Sequence, residues 1–133
     1  MLDPRLAGDT FPVGDLPLCK VLLMRDRRYA WLVLVPRRSG MVEVADLGPD
    51  ERAALWREVE SAGAALRTVA PCDKLNIGAL GNIVRQLHVH VVARVEGDAA
   101  WPGPVWGHGA AEVHAPGEAE QTVASLRTAL GLS

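Results

Sequence analysis

Cysteine, excess basic charge and long apolar runs are all scarce in this 133-residue chain. It has only two cysteines, Cys19 and Cys72, with no CxxC pattern around either, so neither a zinc site nor a disulfide framework is indicated. We expect both to be buried free thiols. The 14 Lys and Arg against 16 Asp and Glu give a net charge of -2, which argues against binding to a nucleic-acid backbone.

The apolar segments are short for a membrane protein. None approaches the roughly 20 residues of a membrane-spanning helix, and residues 1–10 lack the basic-then-apolar layout of a signal peptide. We therefore expect a cytoplasmic protein with no membrane partner. Because 49% of the residues are hydrophobic, the chain can bury one core. We predict a single domain over 1–133, with an irregular lead-in over 1–14 and a Pro/Gly/Trp-rich loop over about 97–117.

Helical and extended segments alternate along the rest of the chain. The apolar runs 16–24 and 30–35 flank a charged turn and predict a β-hairpin. A long helix begins near Gly48-Pro49 and ends before Pro71, with acidic residues in its first turn. One apolar stripe of this helix should face a sheet: Leu55, Val59, Ala62, Leu66 and Val69, widened by Trp56.

Two more strands and a second helix complete the predicted fold. Strands are expected over 74–80 and 86–95, separated by a glycine-bearing turn over 78–82. A last helix over about 118–130 carries Val123, Leu126 and Leu130 on one side. This order of elements predicts an α+β domain with an antiparallel sheet.

The strand QLHVHVVAR, residues 86–94, carries the chemistry. Alternate side chains of a strand point to opposite faces, so one face is the apolar core face of Leu87, Val89, Val91 and Ala93. The other face carries Gln86, His88, His90, Val92 and Arg94. It brings two imidazoles into a row, roughly 6 to 7 Å apart.

Three interpretations of this row are open from the residues alone. It could be the exposed polar face of an amphipathic strand. It could be a metal site, in which His108 and His114 add ligands to the two strand histidines. It could also be a nucleophilic site, in which one imidazole attacks and its neighbour handles protons or the leaving group.

The surrounding sequence favours the third interpretation, because it resembles the histidine-triad (HIT) superfamily. That family's motif is His-x-His-x-His followed by two apolar residues, and residues 86–92, QLHVHVV, are similar to it. WLVLVPRR, residues 31–38, looks like the family's apolar strand ending in proline and basic residues. LNIG, residues 75–78, looks like its asparagine-bearing strand, and Gly81-Asn82 stands where the family usually has Gly-Gln.

The resemblance implies a fold and an activity. The fold is an antiparallel HIT-like sheet with one long central helix and a C-terminal helix, and two copies join their sheets in a homodimer. The activity is hydrolysis at the α-phosphate of a small-molecule nucleotide, either a dinucleoside polyphosphate or a nucleoside phosphoramidate, through a covalent nucleotidyl-histidine. The resemblance implies no required cofactor and no metal site, although a divalent ion could accompany a polyphosphate substrate.

Residue roles follow from the same resemblance. His88 is the nucleophile, and His90 assists departure of the leaving group. Asn76 would bind the ribose or hold the site in place, and Asn82 would take the place of the family's glutamine near the phosphate. From the residues themselves, Arg94 is either a phosphate contact or a solvated strand end. Trp101 lies in a stiff loop that either caps the core or a dimer interface, or forms a lid or base-stacking wall beside His88.

Two departures from the family pattern concern the histidines. Gln86 replaces the first histidine of the triad; it cannot carry a proton, but it can donate and accept hydrogen bonds and so orient the main chain and His88. A further family histidine, just before the apolar strand, is replaced by Ala30 or Trp31, so we expect the nucleophile to lose one hydrogen-bonding partner. These departures leave two alternatives: a nucleotide-binding protein with little turnover, or a metal-binding domain using His88 and His90.

Overall fold

A five-stranded antiparallel sheet forms the centre of the computed structural model, which describes residues 1–132. Its strands lie in the order β1-β2-β3-β5-β4. Their bounds are β1 Thr10–Asp15, β2 Cys19–Met24, β3 Ala30–Pro36, β4 Lys74–Gly78 and β5 Val89–Arg94. The α+β architecture with an antiparallel sheet is therefore confirmed, as is the predicted hairpin of β2 and β3.

Three helices accompany the sheet: α1 Pro4–Asp9, α2 Pro49–Val69 and α3 Glu118–Ala129. The long helix α2 begins at a proline, whose fixed φ suits the first helical position, and carries two acidic residues in its first turn. Helices α2 and α3 pack on one face of the sheet, with α2 against β5 and β3 and α3 against β1. None of the helices in the described chain is both long and apolar enough to cross a membrane.

Both faces of the central strands are buried. The face toward α2 and α3 carries the larger core, to which Leu87, Val89, Val91 and Ala93 contribute. The opposite face carries a second core, formed by residues of α1, β2, β3, β5 and the 95–117 segment. Every residue of β5 is buried as a result. An exposed polar strand face, the first of the three interpretations, is therefore excluded.

Two details of the prediction are wrong. Residues 1–14 were predicted to be an irregular lead-in with one helical turn. They also contain most of the strand β1, which pairs with β2 from Thr10 to Asp15. Pro12 and Gly14 are typical of loops, so the sequence did not indicate this strand. The strand accommodates both residues because it lies at a sheet edge and its register shifts between them. Trp56 does not widen the buried stripe of α2, since its side chain is 45% exposed.

Candidate functional site

His88 and His90 lie side by side where β5 begins. The strand itself starts at Val89, later than the predicted Gln86, because the backbone N–H of Leu87 donates to the carbonyl of Met41 outside the sheet ladder (3.0 Å). The chain nevertheless stays extended enough to keep the alternation of side chains. The two imidazole centroids are 5.0 Å apart, and both side chains are more than nine-tenths buried.

Trp31 on the neighbouring strand fixes the protonation of His90. Its indole N–H donates to Nδ1 of His90 at 3.0 Å. Because Nδ1 accepts, the proton of the neutral ring must sit on Nε2. Burial, reinforced by the nearby His88, lowers the pKa of His90 to about 4. His90 is therefore a neutral ring with an Nε2–H donor at pH 7.

The backbone of residue 86 fixes His88 in the opposite form. Nδ1 of His88 lies 2.6 Å from the carbonyl oxygen of Gln86. A carbonyl only accepts hydrogen bonds, so Nδ1 carries the proton and Nε2 of the neutral ring holds a free lone pair. The two rings thus present complementary groups: a lone pair on His88 and an N–H donor on His90.

A cavity of about 560 Å³ opens beside the two imidazoles, and most of its lining surface is apolar. Besides His88 and His90 it is lined by α1, by Met24, by the β4–β5 connection over residues 80–84 and by Trp31 and Trp106. A smaller cavity, of about 210 Å³, lies on another side of His88 and includes Arg85 and Glu43. His88 therefore stands between two spaces, each able to hold one part of a ligand.

The connection between β4 and β5 borders both spaces. Leu80, Gly81 and Asn82 line the two cavities together with His88. Gly81 has a φ of 72°, which L side chains rarely adopt, so glycine permits this turn. Asn82 is exposed and lines both cavities, and its role near a phosphate stays a prediction.

Trp106, not the predicted Trp101, forms the aromatic wall of the site. The Trp106 ring lies 5.5 Å from the His90 ring and 6.4 Å from the Trp31 ring, edge-on to both. It also packs on the backbone of Gly78, where a β-carbon would come within 3.2 Å of it. Trp101 lies instead beside the guanidinium of Arg94, 5.5 Å from its ring centroid.

Arg94 is neither a phosphate contact nor a solvated strand end. Its side chain is 1% exposed, and it forms an ion pair with Asp98 through two hydrogen bonds of 2.8 and 2.9 Å. Its remaining terminal nitrogen donates to the side-chain oxygen of Asn76 at 2.9 Å. The Arg94 guanidinium holds the pKa of Asp98 at about 2. Asn76 therefore links β4 to β5 through Arg94, and its role toward a ligand stays a prediction.

The Gln86 side chain faces the N-terminal segment. Its Oε1 accepts from the backbone N–H of Asp3 at 2.7 Å, and its Nε2 donates to the carbonyl of Met1 at 3.2 Å. Its contact with His88 is made by its backbone carbonyl. Residue 86 therefore contacts His88 through its backbone and the N-terminal segment through its side chain.

The metal alternative lacks a third ligand within residues 1–132. No group of three or more His, Cys, Asp or Glu side chains there is arranged to hold an ion. Of the two extra candidates, His114 packs edge-on against Phe11, with ring centroids 5.7 Å apart. His108 is exposed, and its carbonyl accepts from Arg28. Neither lines the cavity beside His90.

Sequence reasoning did not identify Trp31 or α1 as parts of the site, and within the 101–107 loop it selected Trp101 and not Trp106. Trp31 could be placed only through the register of β3 on β5, in which Trp31 pairs with Val92 and Val33 with His90. Trp106 and α1 reach the site through loop geometry, for which the sequence carries no periodic signal.

Residues 7–97, which include both histidines, match the model of the HIT domain family. The chain is 50% identical to a histidine triad (HIT) protein from Sinorhizobium meliloti 1021, with a TM-score of 0.94 over 96% of this chain and 95% of that one. A histidine triad protein from Bradyrhizobium japonicum is 48% identical, with a TM-score of 0.95 over 98% of this chain and 97% of that one.

A more distant structure shares the fold. It is a hypothetical histidine triad nucleotide-binding protein from Sulfolobus tokodaii, 15% identical, with a TM-score of 0.71 over 92% of this chain and 84% of that one. No protein of curated function matches the sequence.

Proposed function

Since the chain belongs to the HIT domain family, a superfamily of nucleotide-binding proteins and hydrolases, we propose that it hydrolyses a nucleotide at its α-phosphate through a covalent His88 intermediate. The observation that carries the proposal is the pairing of a free lone pair on Nε2 of His88 with an N–H donor on the adjacent His90. A nucleophile and a donor for a phosphoryl oxygen are what displacement at phosphorus requires.

In the first step, Nε2 of His88 attacks the α-phosphorus, and the bond from phosphorus to the leaving group breaks. The leaving group departs with the electron pair and takes a proton from water where its basicity requires one. The Nδ1–H of His88 stays hydrogen-bonded to the carbonyl of Gln86, which stabilises the positive charge that develops on the ring. His90 donates from Nε2 to the phosphoryl or bridging oxygen and remains neutral throughout.

In the second step, water attacks the phosphorus of the nucleotidyl-His88. The bond from Nε2 to phosphorus breaks, its electron pair returns to the ring, and the proton of the water passes to solvent. The products are a nucleoside monophosphate and the released leaving group. Splitting one displacement into two lets the same ring serve both halves of the reaction.

The two cavities support a substrate with groups on both sides of its α-phosphate. The larger, apolar cavity suits a nucleoside, which can pack on the Trp106 and Trp31 side. The smaller cavity contains both Arg85 and Glu43, and its Arg85 can pair with an anionic group of the substrate. Dinucleoside polyphosphates and nucleoside phosphoramidates both fit this description, and neither requires a cofactor of the protein.

The test is turnover with covalent trapping. Purified protein is incubated with diadenosine polyphosphate or a fluorogenic adenosine phosphoramidate, and quenched samples are analysed by peptide mass spectrometry. We expect AMP release and an adenylyl adduct on the peptide that contains His88. His88→Asn should lower the rate at least about 100-fold while keeping the fold, whereas the control His108→Asn should not change it.

Two outcomes would redirect the proposal. An unchanged rate in His88→Asn would reject the nucleophile, whatever the substrate. Nucleotide binding without turnover in the wild-type protein would instead favour the nucleotide-binding alternative.

We also propose that the protein is a homodimer that extends the sheet across β4. This strand is the last in the sheet order, and within residues 1–132 no strand pairs with its outer edge. Ile77 on this strand is 48% exposed, and Leu80 just beyond it is 45% exposed. An edge strand with unpaired backbone groups and exposed apolar side chains near its end is a template for pairing with a second copy.

A further inference from the structure

Gln86 links the nucleophile to the N-terminal segment. Its side-chain amide pairs with the backbone on both sides of Leu2, accepting from Asp3 N–H and donating to Met1 C=O. Asp3 is also the N-cap of α1, since its carboxylate accepts from the N–H of Arg5 at 2.8 Å. The amide therefore holds the point at which α1 begins.

An imidazole could not make the same pair of bonds. The oxygen and nitrogen of a primary amide sit on one carbon and point the same way, so they match a neighbouring backbone N–H and C=O. A neutral histidine ring also has one donor and one acceptor, but its two nitrogens point in diverging directions and do not match an adjacent N–H and C=O. Glutamine in place of the first triad histidine therefore allows the two hydrogen bonds to Asp3 and Met1.

Helix α1 depends on such contacts for its position. Its six residues are far fewer than the roughly 12 that an isolated helix needs to be even marginally stable in water. Leu6 anchors its middle in the second core, at 4% exposure, and the Thr10 hydroxyl donates to the Leu6 carbonyl at its end. At the start of the helix, Gln86 adds two hydrogen bonds to the packing of Leu2 against the second core.

The same helix forms one wall of the catalytic cavity. Arg5, Leu6 and Asp9 line the larger cavity together with His88 and His90. A ligand in that cavity therefore meets an apolar side chain and two charged ones from α1. The position of these groups, and so the fit of the ligand, depends on where α1 is held.

We propose that Gln86 is a specificity-determining positioning residue, whose side chain holds α1 as the wall that contacts the nucleoside half of the substrate. The proposal rests on the proposed function for the identity of that ligand. The side chain acts on binding, because the tautomer of His88 is set by the backbone carbonyl of residue 86, which every substitution retains. The first triad position thus has no proton-transfer role in this chain.

The test compares Gln86→Ala and Gln86→His with the wild-type protein, in the full chain. Gln121→Ala, which removes the same kind of side chain from the exposed surface of α3, is the matched control. Hydrogen exchange of the peptide covering residues 2–10 is measured without nucleotide. AMP affinity is measured by tryptophan fluorescence, and KM and kcat with the adenosine phosphoramidate.

We expect both Gln86 variants to exchange faster over residues 2–10, with unchanged exchange over β5. AMP affinity should weaken and KM should rise by roughly 10-fold, as expected for the loss of one or two hydrogen bonds that position a binding wall, while kcat changes by less than about twofold. The control should match the wild type in all four quantities.

The proposal is overturned if hydrogen exchange over residues 2–10 is unchanged in both variants. It is also overturned if Gln86→His raises kcat, because an imidazole at position 86 would then take part in the reaction. Failure of the proposed function looks different. If no turnover is found, faster exchange and weaker AMP binding in the variants would still support the role of Gln86.

Discussion

Trp31 and His90 are joined by a hydrogen bond of 3.0 Å between neighbouring strands, with the indole N–H as donor and Nδ1 as acceptor. From the sequence, the replacement of a family histidine by Ala30 or Trp31 was expected to remove one hydrogen-bonding partner of His88. In the structure the indole donates a hydrogen bond to His90 and not to His88, the proposed nucleophile. Because indole nitrogen can only donate, it selects one tautomer of His90, with the proton on Nε2.

Trp31→Phe should release this tautomer while keeping an aromatic ring in the second core. Without the indole N–H, the proton of His90 can sit on Nδ1 in part of the molecules, and those molecules lack the Nε2–H donor. One buried hydrogen bond is also lost. We expect kcat to fall roughly 10-fold, equivalent to about 1.4 kcal/mol. The ¹⁵N shifts of the His90 ring should move toward a mixture of tautomers.

The control for this substitution is Trp56→Phe, since Trp56 is an exposed tryptophan on α2. It should leave both the rate and the ring shifts unchanged. Unaltered His90 shifts in Trp31→Phe would contradict the assignment of the tautomer to the indole.

Burial of His90 predicts how stability depends on pH. Its folded pKa is about 4, against an ordinary value of 6.5. Between these values the unfolded chain binds a proton that the folded chain does not, so the free energy of unfolding falls as the pH is lowered from about 6.5 to 4. The loss amounts to about 3 kcal/mol at pH 4, with no further loss from this group below that.

Urea denaturation between pH 7 and pH 4 checks this expectation. His90→Gln cannot take up a proton and retains an acceptor for Trp31, so its stability should fall less steeply over the same range. His108→Gln removes an exposed imidazole and should keep the wild-type slope. Equal slopes for wild type and His90→Gln would show that His90 does not titrate in this window.

Ile77→Lys tests the homodimer. A lysine on an edge strand places a charge where a second copy would pair, and this is a common way in which proteins prevent edge-to-edge association. We expect the dissociation constant to rise at least about 100-fold, as measured by analytical ultracentrifugation. Val113→Lys, at a position that is 90% exposed in the 95–117 segment, should leave association unchanged. A monomeric wild-type protein would refute the dimer.

Those parts of the fold with a strong period in the sequence were predicted well. The stripe of α2 and the alternation of Leu87, Val89, Val91 and Ala93 depend on side-chain direction within one element. The strand β1 was missed because its proline and glycine, Pro12 and Gly14, are typical of a loop. Pairing with β2 along a sheet edge outweighs that local preference.

The candidate site was predictable only where its residues share a strand. His88 and His90 are two residues apart, so extended backbone brings them together. Arg94 belongs to the same predicted face, yet Asp98 and Asn76 bind it away from the cavity. The periodicity of the sequence does not predict the Arg94–Asp98 ion pair, because this pair depends on the conformation of the turn that follows β5.

The packing of Trp106 against Gly78 couples two positions that are 28 places apart in the sequence. A methyl group at residue 78 would come within 3.2 Å of an indole that is already in contact with His90 and Trp31. A larger residue at position 78 would therefore require the indole of Trp106 to shift, and with it the wall that this ring forms beside His90 and Trp31. A substitution at this one glycine would thus reshape the cavity beside His90 without replacing either histidine.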